Sequence, residues 1–184
     1  MSHRIYDLQR IQTWDEAWCL RFNRASINPA IRQIFRLISR LGNGIFWYCL
    51  MLWLLVEFRA SALLPVFHMA AAGLVCTIMY KWLKHKTHRP RPYNRNKGIN
   101  CGIAPLDQFS FPSGHTLHAV AFSVVALAYY PALAWLLLPF TALVALSRLV
   151  LGLHYPSDVL AGIVIGATIS GLSLGISIPA PAFF

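Results

Sequence analysis

The stretches Leu41 to Val56, Ala60 to Tyr80, Thr116 to Leu146 and Val159 to Ile178 contain no Asp, Glu, Lys or Arg. A membrane helix needs roughly 20 mainly apolar residues, so the first, second and last of these each predict one crossing. Thr116 to Leu146 is long enough for two short crossings, with Pro131 after Tyr129-Tyr130 as the turn between them. The pattern therefore predicts an all-α, multi-pass membrane bundle of about five helices over 41–184. Glu57-Phe58-Arg59 forms the first short turn, and Arg89 to Ser110 reads as a polar loop.

The segment before the first crossing has another rhythm. In Asp7 to Phe22, Leu8, Ile11, Trp18 and Phe22 fall at roughly helical intervals. Asn28-Pro29 then opens a second segment. Ile31, Ile34, Phe35, Ile38 and Leu41 share one face there, while Arg32, Arg36 and Arg40 recur at every fourth position on another. An apolar face opposed by arginines predicts a helix in the headgroup plane, so 1–40 is read as an amphipathic interfacial helical region. The alternative is a solvated helix packed on the membrane domain.

Composition agrees with the pattern. Of 184 residues, 57% are hydrophobic and 12% charged, and the mean hydropathy is +0.54; soluble domains carry about 25% charged residues. The net charge of +10 comes from 16 Lys and Arg against 6 Asp and Glu. These cations cluster in Arg4 to Arg40 and Lys81 to Lys97, beside the apolar spans, where anionic lipid is attracted at about 1 kcal/mol per residue. No nucleic-acid reading module accompanies them, so membrane lipids are the expected partner and nucleic acid is not. Cys19, Cys49, Cys76 and Cys101 are scattered without disulfide or zinc spacing. Met1 to Arg40 is polar and broken by arginines, unlike a cleaved targeting segment.

The remaining polar residues fall into short fragments: Lys84 with Arg91-Pro92, Pro112-Ser113-Gly114-His115, and Ser147-Arg148 followed by His154 and Asp158. If the second crossing ends on one membrane face, the third leaves that face and the fourth returns to it. Every fragment then reaches the same face. Pro156 suits the first turn of a helix, which puts His154 just before it and Asp158 within reach of one ring nitrogen. A carboxylate on one nitrogen leaves the other free to attack phosphorus; the competing reading is a capping histidine with an Asp serving the helix dipole. Ser113 is a candidate cap at a helix start, a place that favours anions, and His115 is placed to donate a proton. Lys84 and Arg91 offer a point charge and a planar fork to phosphate oxygens. Lys81, Lys86, Arg89, Arg95 and Lys97 read as anchors to the headgroup layer, and Asp107 as a loop residue without a legible partner. His85, His88 and His118 lack the carboxylates or cysteines of a metal site.

The fragments, in this order and at these spacings, resemble the type 2 phosphatidic acid phosphatase superfamily, membrane lipid phosphatases related to vanadium haloperoxidases. The resemblance covers Lys84 to Asp158. It implies that His154 is the nucleophile forming a phosphohistidine, that Asp158 orients it and that His115 is the general acid. It implies that Lys84, Arg91, Ser113, Gly114 and Arg148 bind the substrate phosphate, with no metal and no cofactor. Many members have six crossings where this pattern gives about five, with the interfacial region standing in place of the first.

The expected activity is metal-independent hydrolysis of a lipid phosphomonoester or pyrophosphate: phosphatidylglycerophosphate, phosphatidic acid or undecaprenyl pyrophosphate. The alternatives are a lipid phosphotransferase and a non-catalytic protein that binds anionic lipid. The expected location is a bacterial inner membrane. Because nearly every Lys and Arg except Arg59 lies on the site's face, the positive-inside rule puts that face in the cytoplasm. The family resemblance often implies the opposite face.

Overall fold

The computed structural model describes residues 2–177, with side chains over 10–176, so Met1, Ile178 and the rest of the C-terminal end of the predicted 41–184 region lie outside the described residues. Helix α1 spans Ser2–Asn23 and a 3-10 turn follows at Arg24–Ile27. Asn28 then caps α2 (Pro29–Arg40), its side-chain oxygen accepting from the Ala30 amide at 2.9 Å, with Pro29 at the first helical position. The Gly42-Asn43-Gly44 entry is a π turn, Leu41–Ile45, in which Gly44 adopts φ 125°. A side chain at Gly44 would be strained there and would meet the Tyr48 ring at 2.9 Å.

Helices α3 (Phe46–Phe58), α4 (Leu63–Thr87), α6 (Gly114–Tyr129), α7 (Ala134–Val150) and α8 (Pro156–Ser177) lie where the apolar stretches predict crossings, and α5 (Pro92–Arg95) is a single turn in the polar loop. Helix α6 ends at Tyr129 and a 3-10 turn begins at Pro131, so the turn falls where proline removes the next backbone donor. Among the described residues three helical runs are long and apolar enough to cross a membrane: Pro29–Thr87, which contains α2 to α4, then Pro131–Val150 and Pro156–Ile176. Helix α6 is a shorter apolar helix. Among the described residues there is no β-strand, only an isolated bridge between Pro90 and Phe109 that closes the loop.

The main core gathers Trp47, Leu54, Met69, Phe122, Leu137 and Val144 from α3, α4, α6 and α7. Helices α6 and α8 approach most closely. A Cβ at Gly162 would stand 2.8 Å from the Ser113 carbonyl oxygen, and one at Gly166 only 2.5 Å from that of Leu117. The Ser113 amide donates to the Asp158 carbonyl at 3.0 Å, which ties the start of α6 to the start of α8. Helices α1 and α2 pack onto this end of the bundle, against α7 and α8. Their buried polar residues, Asp15, Asn23 and Ser39, face it.

Candidate active site

A cavity of about 1000 Å3 opens at this end, lined by Lys84, Arg91, Gly114, His115, Arg148 and His154. Each comes from an element terminus: the last turns of α4 and α7, the first turn of α6, and the loops before α5 and α8. The cavity continues between α3 and α4 past Trp47, Met51, Leu74, Thr77 and Phe122, so one space joins a cationic mouth to an apolar groove.

His154 is 1% exposed. Its Nε2 lies 3.3 Å from Arg91 Nη1. A guanidinium only donates, so Nε2 is the accepting nitrogen and the ring proton sits on Nδ1. Burial, followed by the charges of Arg148, Arg91 and Lys84, holds this imidazole well below the ordinary histidine range. The ring is therefore neutral with its lone pair at the cavity end. Asp158 Oδ2 stands 3.6 Å from Nδ1, longer than an ordinary hydrogen bond. The carboxylate instead accepts from the Tyr155 amide at 2.8 Å and from Arg89 Nη1 at 2.6 Å.

The cations are held from behind. Arg91 Nη1 donates to the Leu153 carbonyl at 2.8 Å. Arg148, 3% exposed, donates through Nη1 to Ser39 Oγ of α2, and its Nε is buried without a protein acceptor. Asp107, a loop residue whose partner the sequence does not name, accepts on Oδ1 from Lys84 Nζ at 2.7 Å and from Arg91 Nη2 at 2.6 Å. Burial would raise its pKa, but the Lys84 hydrogen bond and the charges of Lys84 and Arg91 win and hold it below the usual carboxylate range. The sequence carried no sign of this pairing, because Asp107 lies in an irregular loop.

Arg89 and Arg95 also depart from the headgroup-anchor reading. Arg89 bridges Asp15 and Asp158, each at 2.6 Å, and Arg95 meets Glu16 at 3.3 Å. Ser113 occupies the N-cap position of α6, yet its hydroxyl pairs with Thr116 Oγ1 at 2.9 Å and makes no cap bond. Ser113 and Asp158 are fully buried and stand behind the cavity wall, while Gly114 and His115 line it. Both nitrogens of His118 are engaged, by the Gly114 carbonyl at 2.9 Å and by Thr77 Oγ1 at 3.0 Å. Among the described residues no three His, Cys, Asp or Glu converge as a metal-binding group.

Comparison with known proteins gives this geometry a family. Residues 61–178 match the model of the PAP2 superfamily. The chain belongs to the PAP2 superfamily. It is 30% identical over 146 residues to an undecaprenyl-diphosphatase of Sulfolobus acidocaldarius, covering 78% of this chain and 69% of that protein. It is 33% identical over 127 residues to the decaprenylphosphoryl-5-phosphoribose phosphatase of Mycobacterium tuberculosis, covering 65% and 68%. The crystal structure of Aquifex aeolicus LpxE superposes with a TM-score of 0.71 at 27% identity, over 83% of this chain and 92% of that one. This PAP2 protein is a membrane lipid phosphatase, as the sequence fragments imply.

Proposed function

We propose that His154 attacks the phosphorus of a lipid phosphate and that the chain hydrolyses the resulting phosphohistidine. The observation that carries this reading is the buried His154 ring, with Nε2 3.3 Å from Arg91 Nη1 and in the same cavity as Lys84, His115 and Arg148. Lys84, Arg91 and Arg148 take the non-bridging oxygens, with the buried Arg148 Nε as a donor already in place. Nε2 forms the N–P bond while the bond from phosphorus to the leaving oxygen breaks. His115 gives its proton to that oxygen. Water then attacks phosphorus, His115 takes the proton back from it, and the N–P bond breaks to release phosphate and free His154. Gly114, on the cavity wall at the start of α6, offers its backbone N–H to the phosphate, while Ser113 and Asp158 support the residues that touch it. No step requires a metal, and stabilisation comes from charges fixed before the reaction.

The apolar groove between α3 and α4 suits the hydrocarbon chain, which remains in the bilayer plane while the phosphate enters the cationic mouth. Among the expected substrates a polyprenyl pyrophosphate is favoured over phosphatidic acid and phosphatidylglycerophosphate. Two relatives carry polyprenyl phosphates in their names. The location proposed is a bacterial inner membrane with the site on the cytoplasmic face. That orientation rests on Arg32, Arg36 and Arg40, which lie outside the phosphate fragments. Cys101 is exposed in the loop between α5 and α6, so with Cys49, also exposed, replaced by Ser, a membrane-impermeant maleimide applied from each side of sealed vesicles reads the orientation.

Phosphate release from those lipids in detergent tests the proposal. His154→Ala is expected to abolish release while eluting as folded protein, and near-normal release would contradict it. Radiolabel passing from the donor to a second lipid, with no free phosphate, would make the enzyme a phosphotransferase.

A further inference from the structure

Asp15 lies on α1, outside residues 61–178 that match the family model, and it is fully buried. Its Oδ2 receives Arg89 Nη2 at 2.6 Å, and its Oδ1 receives the Ser157 amide at 3.0 Å. The other arm of Arg89 donates to Asp158 Oδ1 at 2.6 Å and to Ser157 Oγ at 2.7 Å. The guanidinium also lies over the Tyr155 ring, 4.2 Å from its centroid, which restricts it from turning away. Hydrogen bonds thus run from α1 through Arg89 to Asp158, whose Oδ2 stands 3.6 Å from His154 Nδ1.

We propose that Asp15 is a positioning residue of the phosphatase reaction, holding Arg89 so that Asp158 faces His154 with its negative charge uncancelled. The inference rests on His154 as the nucleophile. An Arg89–Asp158 pair alone would be neutral, and its guanidinium would compete with the imidazole for the carboxylate. With Asp15 sharing the guanidinium, two carboxylates face one cation and the group keeps one net negative charge. That charge matters when Nε2 bonds phosphorus and the ring becomes cationic, because Asp158 is the carboxylate nearest Nδ1. The competing explanation is that Asp15 serves only to cap α8 through the Ser157 amide.

The test is Asp15→Asn in the full-length protein in detergent, alone and combined with Asp158→Asn, with Arg89→Lys as a second variant. Arg89→Lys keeps the cation but cannot span both carboxylates. A positioning role predicts that Asp15→Asn lowers kcat by about tenfold with KM within about twofold. It also predicts little further loss once Asp158 is already Asn, because residues acting as a unit are not additive. Arg89→Lys is expected to give the same split between kcat and KM. The proposal is overturned by an unchanged kcat, by an equal fold-loss in the Asp158→Asn background, or by a loss that only follows the folded fraction. If Asp15→Asn yields no folded protein, the kcat and KM of Arg89→Lys decide. His154→Ala runs in parallel: activity there overturns the nucleophile assignment itself, whereas an inactive His154→Ala with an unaffected Asp15→Asn overturns only the positioning role.

Discussion

A neutral histidine among cations has a measurable signature. His154 faces Arg91, Lys84 of α4, His115 of α6, Arg148 of α7 and Asp158 of α8. Burial and the cations hold its pKa well below the ordinary value near 6.5. The acid limb of kcat/KM, where the nucleophile is lost by protonation, is therefore expected below the ordinary histidine range. An acid limb at or above that range would contradict the assigned electrostatics. The same shift makes folding pH-dependent: the unfolded chain binds a proton at His154 before the folded protein does, so this residue's contribution to stability falls as pH drops through the ordinary range. Asp107 supplies a second test. Its carboxylate occupies Lys84 and Arg91, the cations assigned to phosphate oxygens in the proposed mechanism. Asp107→Asn removes that competing charge, and inhibition by inorganic phosphate is expected to tighten by about tenfold, or about 1.4 kcal/mol. Unchanged or weaker inhibition would mean that Asp107 does not compete for the phosphate position.

The elements decide which residues meet. Gly162 and Gly166 let α8 run against the backbone of α6, which brings His115 and His154 to one cavity. Gly166→Val must push the helices apart and is expected to cost about 1–3 kcal/mol of stability, read as a lower Tm, together with activity. An unchanged Tm would show that the contact is slack. Between α3 and α4 the groove itself is testable. Leu74 lines it, and Leu74→Trp is expected to raise KM for a long-chain lipid phosphate while leaving turnover of a water-soluble phosphomonoester unchanged. An equal effect on both substrates would place the chain elsewhere. The sequence made much of this legible. Long uncharged stretches located the apolar helices, and the local spacing of His154 and Asp158 brings the two near each other, at 3.6 Å, without showing that the carboxylate bonds Tyr155 and Arg89 instead. Asp15, Arg89 and Asp107 were not legible, because their meaning lies in distant partners. Asp15 meets Ser157 across 142 positions and Arg89 meets Asp158 across 69. No helical periodicity records such pairs.

For the molecule as a whole, the N-terminal helices become part of the end that holds the cationic cavity. The predicted interfacial region reaches the site through Asp15, through Asn23, which bonds the Asn100 and Val150 carbonyls at 2.9 Å each, and through Ser39 on Arg148. Helix α2 still carries its arginine face, and Arg36 Nε donates to the Gly102 carbonyl of the polar loop. The amphipathic pattern thus described the helix while leaving its inner polar contacts unread. A bundle of apolar helices carries a cluster of cations at one end, and in the proposed mechanism the chemistry depends on one imidazole among them. The most direct measurement is to mix the protein with a lipid phosphate radiolabelled at phosphorus, quench in alkali, where an N–P bond survives, and map the label. The account predicts label on the peptide containing His154 and none in His154→Ala. Label on another residue, or sustained phosphate release by His154→Ala, would contradict it.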